Sequence, residues 1–316
     1  MSVVLCGPSW VTELRLLAEQ VDERGGNPVT CHTDDWPGET PLRFRPDADE
    51  TVLGDAIAYD GVTGGYFQSN LLFHPLTALQ KDAFQGRDDF ERTLTQIRDH
   101  RSIFESFARR LESHGAAVLP SVRNHYLQAQ KPWQLSRFES ESVPVPETVF
   151  TNDPQTVEEF YRSHDRVVYK PTTNGAPPAE ITESDLQAER LDALANAPVQ
   201  FQEFVPGEDL RVYVLDGEVV GAIRYESETF SFKVDQQEGR DVEVEGASVS
   251  GDVEESAVRA VEAVDLTFGG ADVRRRPDGG HVVFEVNETP VFAGADRLCD
   301  QGIAGALAEH LLDPDR

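Results

Sequence analysis

The chain has 316 residues and a mass of 35.0 kDa, which is long enough for two or three packed subdomains. Hydrophobic residues make up 39% of it, enough for a sizeable core, so general disorder is excluded. The 57 acidic and 28 basic residues give a formal net charge of -29, which argues against nucleic-acid and membrane-surface partners. No apolar run approaches the roughly 18 residues of a membrane span, and no secretory signal is visible. With three isolated cysteines, we expect a cytoplasmic protein.

In residues 1–120, short apolar strands alternate with helices. The predicted strands cover 3–5, 29–32, 61–67 and 117–119. One predicted helix is capped by Ser9 and closed by Gly25, and another covers 88–114, while 33–50 is predicted as a loop. Strands alternating with helices predict a mainly parallel sheet, and therefore a small α/β domain.

From residue 121 onward, antiparallel hairpins dominate, which predicts an α+β region. Strands are predicted at 147–151, 166–170, 199–204, 210–215, 218–225, 269–276 and 281–287, and helices at 124–139, 184–195, 253–267 and after Arg297. Asp153 is predicted to cap a further helix that has Pro154 at its first position. The acidic run 236–246 is predicted as a loop.

Lysine is rare in this chain, with four lysines among the 28 basic residues: Lys81, Lys131, Lys170 and Lys233. An acid-rich, lysine-poor composition is typical of halophilic proteins, because concentrated salt screens their self-repulsion. Each remaining lysine is therefore a stronger functional candidate than usual. Lys170 ends an apolar strand before a loop with one glycine, Gly175. A lysine there can neutralise phosphate oxygens, or it is an ordinary surface lysine.

The last hairpin brings acidic residues together. If 277–280 form its turn, Arg276 faces His281 and Asp272 faces Glu285, with Asn287 on the same face as Glu285. Three apolar residues then face the core: Val282, Phe284 and Val286. Facing carboxylates repel each other, and a hard divalent cation such as Mg²⁺ or Mn²⁺ would reverse that cost. In a chain with 57 acidic residues, a chance acidic pair is the alternative.

The preceding hairpin carries two arginines. With Asp216 and Gly217 as its turn, Arg211 opposes Ala222 and Asp209 opposes Arg224, and these four residues share one face. Two arginines there could clamp a carboxylate or a phosphoryl group in transfer. The alternative is a surface ion pair of little energetic value.

Taken in order, these features resemble the ATP-grasp superfamily, and most nearly the RimK-like carboxylate–amine ligases and graspetide (microviridin-type) peptide maturases. The resemblance covers about residues 121–316 and rests on VVYKP, FQEFVPGEDLRVYVLDGEVVGAIR, LTFGGADV and VFEVNETP. It implies an ATP-grasp fold with a central subdomain at 121–197 and a C-terminal one at 198–316. Residues 1–120 would be the N-terminal α/β (pre-ATP-grasp) domain.

The resemblance also implies roles for individual residues. Lys131 and Lys170 would contact the nucleotide phosphates, and Glu208 the ribose. The adenine would lie beside one segment: Gln202, Glu203, Phe204 and Val205. Mg²⁺ or Mn²⁺ would be held by three residues: Asp272, Glu285 and Asn287. Arg211 and Arg224 would be catalytic, with Arg211 stabilising the phosphoryl group and the acyl phosphate.

The implied activity is that of an ATP- and Mg²⁺-dependent ligase, which forms an amide through an acyl phosphate on an amino acid or peptide. A small-molecule kinase on the same scaffold is one alternative. A degenerate nucleotide-binding protein is another, favoured by the single glycine and by Pro177 and Pro178 in the loop after Lys170. Homo-oligomerisation through the N-terminal domain is also expected.

Overall fold

The computed structural model of the protein describes residues 1–36, 38–72, 87–173 and 176–313. The chain divides into two compact units. The first contains Met1–His125, Val291–Ala293 and Gly302–Arg316, and the second contains Tyr126–Pro290 and Gly294–Gln301. Residues 302–316, which the sequence placed in the C-terminal subdomain, thus belong to the first unit. No helix in the described ranges combines the length and apolar character needed to cross a bilayer.

The first unit contains a parallel sheet with strand order β2-β1-β6-β7 and a small antiparallel sheet with order β3-β4-β5. In chain order the strands are β1 (Ser2–Gly7), β2 (Asn27–His32), β3 (Leu42–Phe44), β4 (Glu50–Leu53), β5 (Asp55–Ala58), β6 (Val62–Phe67) and β7 (Ala117–Leu119). Its described helices include α1 (Thr12–Glu23), α2 (Arg87–Ser113) and the helix over Ile303–Leu312 at the end of the chain. Phe104, Phe107 and Leu111 of α2 are fully buried in the core with Phe67 of β6. The parallel sheet with its helices confirms the predicted α/β class.

Two local predictions for this unit were wrong. Ser9 does not cap α1, because its N–H and hydroxyl donate to the Asp34 carboxylate at 2.7 and 2.5 Å. The helix begins at Thr12 instead, without a side-chain cap. The predicted loop 33–50 contains β3, whose three residues are too few to show an alternating pattern.

The second unit contains two antiparallel sheets, with orders β10-β9-β11-β8 and β14-β13-β12-β15-β16. Its strands are β8 (Thr148–Thr151), β9 (Val167–Pro171), β10 (Ala179–Glu180), β11 (Val199–Glu203), β12 (Glu208–Leu215), β13 (Glu218–Glu226), β14 (Glu243–Gly246), β15 (Phe268–Arg275) and β16 (His281–Asn287). Its helices are α3 (Lys131–Ser140), α4 (Pro154–Ser163), α5 (Ala188–Leu191), α6 (Phe232–Gln237) and α7 (Gly251–Ala263). Two helices follow at the end of the chain, α8 (Ala293–Cys299) and α9 (Ile303–Leu312). This arrangement confirms the α+β class.

The five-stranded sheet has one apolar and one polar face. Leu210, Val212 and Val214 of β12 point into a core shared with Phe138 of α3 and Val261 of α7. Because side chains alternate along a strand, Asp209 and Arg211 of β12 face the opposite side of the sheet. That opposite side carries the charged residues of the candidate site.

Asp153 caps α4 as predicted, accepting from the N–H groups of Gln155 and Thr156 at 3.3 and 3.1 Å. The prediction of the acidic run 236–246 as a loop was wrong in part: residues 243–246 form β14, which pairs with β13, and residues 236–237 belong to α6, while 238–242 are neither helix nor strand. Cross-strand pairing between Arg224 and Glu245 offsets the local concentration of acids, and a linear pattern does not show it.

Gly207 connects β11 to β12 where the backbones approach closely. Its φ is 144°, and a Cβ there would lie 2.0 Å from the carbonyl oxygen of Arg275. We expect Gly207→Ala to destabilise the protein by about 1–3 kcal/mol, because the obstacle is main chain and cannot rotate away. Urea unfolding measures this. Gly279→Ala is the control: φ is 92° but the space around it is open, so its loss should be smaller, and equal losses would contradict the steric explanation.

Candidate active site

Two arginine–aspartate pairs lie side by side on the polar face of the five-stranded sheet. Arg211 of β12 and Asp272 of β15 are register partners, and the guanidinium donates to both carboxylate oxygens at 2.8 and 3.1 Å. Arg274 donates two hydrogen bonds to Asp209, at 2.9 and 2.6 Å. All four side chains are largely buried, and each charge has a partner, as buried charges require.

Glu285 of β16 lies directly across from Asp272, which is the pairing that the sequence predicted. The Lys131 ammonium lies 3.0 Å from Glu285 Oε2, and the Lys233 ammonium lies 2.9 Å from Oε1. Lys233 also lies 3.4 Å from Asp272 Oδ2, so it bridges the two facing carboxylates. The expected repulsion between those carboxylates is therefore already offset by cations.

Three of the four lysines line one cavity of about 560 Å³, a volume in the usual range for small-molecule sites. They are Lys131, Lys170 and Lys233, while Lys81 lies outside the described residues. Segments of both sheets and of α6 form the remaining wall, including Gln202, Glu203, Phe204, Val205, Phe230, Arg274, Phe284 and Glu285. In a chain with twice as many acids as bases, this concentration of lysines favours an anionic ligand.

The charges in this cavity shift one another's protonation. Burial lowers the pKa of Lys170 to about 8, with Lys131 and Lys233 adding repulsion and Glu285 opposing it. Burial alone would raise the pKa of Glu285, but Lys233, Lys131 and Lys170 hold that pKa well below its usual value. Glu285 is thus an anion, and an arriving phosphate would favour the charged form of Lys170.

The segment predicted to contact adenine lies at one wall of the cavity. Val205 offers its carbonyl to the Arg274 guanidinium at 2.9 Å, and the Gln202 amide donates to Thr148 Oγ1 at 2.8 Å. The Phe204 ring has the Arg166 guanidinium 3.5 Å from its centroid. Glu203 accepts from the Glu147 N–H at 3.2 Å. The segment is thus fixed at both its main chain and its side chains.

Two predicted residues lie elsewhere. A register shift between Tyr213 and Val214 makes Arg224 oppose Leu210, and Arg211 oppose Ile223 rather than Ala222. Arg224 therefore lies on the opposite face from Arg211, and the predicted arginine clamp was wrong. It pairs there with three glutamates: Glu208 (3.3 Å), Glu226 (2.9 Å) and Glu245 (2.5 Å). Glu208 also pairs with Arg275 at 2.5 Å, so its carboxylate is engaged away from the cavity.

A second register shift affects the last hairpin. It falls between Asp272 and Val273, so His281 pairs with Arg275 rather than with Arg276. The extra residue on β16 is Phe284, which was predicted to face the core but lines the cavity. Its ring centroid lies 5.8 Å from the Lys170 ammonium and 5.4 Å from the Arg274 guanidinium carbon. Asn287, two residues after Glu285, pairs with Gly270 as the unshifted register predicts.

Lys233 and Arg274 were not predicted as site residues. The rarity of lysine was a signal for Lys233, although no motif placed it near the hairpin. Arg274 lies two residues after Asp272, so strand alternation alone puts it on the same face. Both signals were available in the sequence. The loop after Lys170 is described only in part, because Asn174 and Gly175 lie outside the described residues.

The two facing carboxylates fit a divalent cation. A positive group, the Lys233 ammonium, already lies between them, and carboxylate oxygens are the ligands that Mg²⁺ prefers. Among the residues that the structure describes, no three His, Cys, Asp or Glu side chains converge as a metal cluster. The remaining ligands would therefore be the Asn287 amide and phosphate oxygens, as is usual for nucleotide-bound Mg²⁺.

The sequence is similar to a known protein family and to curated proteins. A family model described as a RimK-like ATP-grasp domain matches residues 138–311, more than half of the chain. A probable alpha-L-glutamate ligase of Xanthomonas euvesicatoria pv. vesicatoria (strain 85-10) is 29% identical over 181 residues, which are 54% of this chain. The match spans 60% of the length of that curated relative.

Two solved structures extend the likeness over the whole chain. The ATP-grasp ligase PsnB, complexed with a minimal precursor, is 29% identical with a TM-score of 0.82 and 99% coverage of both chains. The macrocyclase MdnC from Microcystis aeruginosa MRC, bound with the precursor peptide MdnA, has a TM-score of 0.80 and 99% coverage of both chains. At 17% identity, the second likeness concerns the fold alone.

Proposed function

Because the chain belongs to the RimK-like ATP-grasp family, we propose that it is an ATP- and Mg²⁺-dependent ligase that joins a carboxylate to an amine. Family membership also confirms the predicted ATP-grasp fold. The observation that carries the proposal is the cavity in which Asp272 and Glu285 face each other across β15 and β16 and lysines contact them. A metal–triphosphate complex requires carboxylates that hold the metal and cationic side chains that neutralise the phosphates, and this cavity offers both.

The phosphate end of the cavity would be formed by Lys131 and Lys170, with Asp272, Glu285 and Asn287 holding the metal. When bound, Mg²⁺ neutralises the charge that develops on the phosphate oxygens. Lys131 is well placed to contact the phosphates, since its ammonium is buried and lies 3.3 Å from the Thr173 carbonyl. A cation fixed in this way is already oriented before the anion arrives.

The base would lie against the segment Gln202–Glu203–Phe204–Val205. Arg274 positions this segment through the Val205 carbonyl and thereby links the base to β15, which also carries Asp272. Glu208 and Arg224 have no part in this proposal, because they pair with each other on the opposite face.

Arg274→Lys is expected to raise KM for ATP roughly tenfold while changing kcat less. Lysine keeps the charge but cannot bond Asp209 through two nitrogens and Val205 through a third. Initial rates over a range of ATP concentrations measure this. Arg275→Lys, at the adjacent residue that faces the opposite side and pairs with Glu208, is the control and should leave KM unchanged. Equal effects in the two variants would contradict the positioning role.

Arg211 would stabilise the transferring phosphoryl group, with Asp272 orienting its guanidinium. In the proposed reaction a substrate carboxylate oxygen attacks the γ-phosphorus and ADP leaves. An amine nitrogen then attacks the acyl carbon, the bond from that carbon to the bridging oxygen breaks so that phosphate leaves with this oxygen, and the nitrogen loses a proton. The barrier is electrostatic, because an anionic carboxylate must approach an anionic triphosphate, and the cavity cations reduce that repulsion.

We propose a peptide as the substrate class. PsnB, with which this chain aligns over 99% of both chains, was solved with a minimal precursor. The glutamate ligases match only over 54% of this chain, so an amino-acid substrate has less support. Homo-oligomerisation through residues 1–120 stays a prediction, which light scattering measures.

The test is a screen of amino acids, dipeptides and short peptides for stimulated ADP release, followed by mass spectrometry of the product. The ligase proposal predicts ADP, free phosphate and a product lighter than its reactants by one water. A phosphorylated product would identify a kinase instead. Nucleotide binding without turnover across the panel would identify a degenerate nucleotide-binding protein.

We also propose that the protein works in concentrated salt. A net charge of -29 stores self-repulsion in the compact state, and screening by salt reduces it. The melting temperature is therefore expected to rise by several degrees between about 0.1 and 2 M KCl. Differential scanning calorimetry measures this. A melting temperature that stays flat or falls would contradict the halophilic assignment.

A further inference from the structure

The segment that carries Lys233 lies between β13 and β14 and is called here the strap (residues 227–240). Its centre is α6, and Phe230, Ser231, Phe232, Lys233 and Gln237 line the cavity. Asp235 holds the strap together: its buried carboxylate accepts from Ser227 Oγ at 2.5 Å and from the Glu228 and Thr229 N–H groups at 2.8 and 3.2 Å. Arg240 pairs with the other oxygen at 2.8 Å.

The strap is therefore a small folded element with one cationic contact to the sheet. The Lys233 ammonium reaches Glu285 at 2.9 Å and Asp272 at 3.4 Å, whereas its own α6 neighbour Phe232 stacks on Tyr225 with ring centroids 4.0 Å apart. The ammonium thus occupies the space between the two carboxylates to which the proposed function assigns the metal.

A divalent cation and an ammonium cannot share that space. Two like charges about 3–4 Å apart repel strongly where water is largely excluded, and each carboxylate has few oxygens to offer. Lys233 is also the most exposed of the three charged partners, with 40% of its side chain accessible against 10% for Asp272 and 5% for Glu285. Of these groups, it is the lysine that has room to move.

We propose that Lys233 is an exchangeable cation: it neutralises Asp272 and Glu285 before the metal binds and is expelled when the metal enters. Exchange keeps the buried carboxylates compensated at every stage, and it links metal occupancy to the position of the strap. Lys233 is in this sense a positioning residue of the metal site. The inference rests on the metal assignment of the proposed function.

The test is the affinity of the full-length, nucleotide-free protein for Mn²⁺, measured from the free-ion electron paramagnetic resonance signal. Lys233→Met removes the competing charge at similar volume, so we expect Mn²⁺ to bind roughly tenfold more tightly or better than to the wild type. Lys170→Met is the matched control. It removes a lysine from the same cavity, but not the one that lies between the two carboxylates, so its gain in Mn²⁺ affinity should be clearly smaller. An unchanged affinity in Lys233→Met, or equal gains in both variants, would overturn the exchange.

A double variant tests whether the tighter Mn²⁺ binding occurs at these carboxylates rather than elsewhere on the acidic surface. The gain of Lys233→Met should disappear in Lys233→Met/Glu285→Gln, and a gain that persists would overturn the assignment. Hydrogen–deuterium exchange gives a second readout that needs no turnover: Mn²⁺ should speed exchange in residues 227–240 of the wild type, and Lys233→Met should show the faster exchange without metal. If hydrogen–deuterium exchange in residues 227–240 changes neither with Mn²⁺ nor in Lys233→Met, the link between metal occupancy and the position of the strap is contradicted. If the protein shows no ligase activity but the Mn²⁺ affinities and hydrogen–deuterium exchange rates are as expected, the proposed reaction is wrong and the replacement of Lys233 by the metal is supported.

Discussion

Glu285→Gln is expected to lower ATP-dependent product formation roughly 1,000-fold, because a bound metal supplies several kcal/mol of transition-state stabilisation. Glutamine keeps the shape of the side chain but removes the charge that Lys131 and Lys233 contact at 3.0 and 2.9 Å. Steady-state ADP release, with Mg²⁺ varied up to high concentration, measures the loss. Excess Mg²⁺ should restore little of it.

The variant should also be less stable, by about 3–5 kcal/mol, since removing one partner of a buried ion pair leaves the other charges uncompensated. Circular dichroism melting must therefore show that it is folded at the assay temperature. Glu245→Gln is the matched control on the same sheet, because Glu245 pairs with Arg224 on the opposite face. A folded Glu285→Gln variant with wild-type turnover would refute the metal assignment.

Arg211→Lys is expected to lower kcat by about 100-fold with a much smaller change in nucleotide affinity. Arg211 is 8% exposed and its guanidinium bonds both oxygens of Asp272, and a lysine ammonium cannot reproduce that planar pair of hydrogen bonds. If Arg211 stabilises the transferring phosphoryl group, the loss appears in the transition state rather than in binding. Single-turnover rates together with calorimetric nucleotide binding separate the two.

Arg224→Lys provides the comparison, since Arg224 belongs to the same hairpin but lies on the opposite face among three glutamates. It should keep kcat within a factor of about two, as expected for an exposed ion pair. Loss of activity in Arg224→Lys comparable to that in Arg211→Lys would restore the predicted two-arginine clamp and contradict the register in the structure.

The sequence predicted the pairing of Asp272 with Glu285 from a four-residue turn, but the structure reaches that pairing differently. Next to the turn the register is one residue off, and the extra residue Phe284 restores the predicted register at Asp272. The same arithmetic failed for Arg224 and Phe284. In each hairpin one strand carries an extra residue, and a one-residue shift moves every side chain beyond it to the other face. No local signal in either strand marks where that residue is inserted.

The place of Lys233 in the site could not be predicted from the sequence pattern, for a different reason. Its ammonium meets Glu285, 52 residues later in the chain, through a strap whose shape depends on the buried Asp235 carboxylate. Composition singled the lysine out, but only the fold shows which carboxylates it contacts. Arg274, by contrast, follows from strand alternation once Asp272 is placed.

A crystal structure of the protein with Mg²⁺ and a nonhydrolysable ATP analogue would show whether this cavity binds a metal–triphosphate complex. We expect Mg²⁺ between Asp272 and Glu285, phosphates against Lys131 and Lys170, and the base beside Phe204. A nucleotide bound elsewhere, with the two carboxylates still bridged by Lys233, would contradict this expectation.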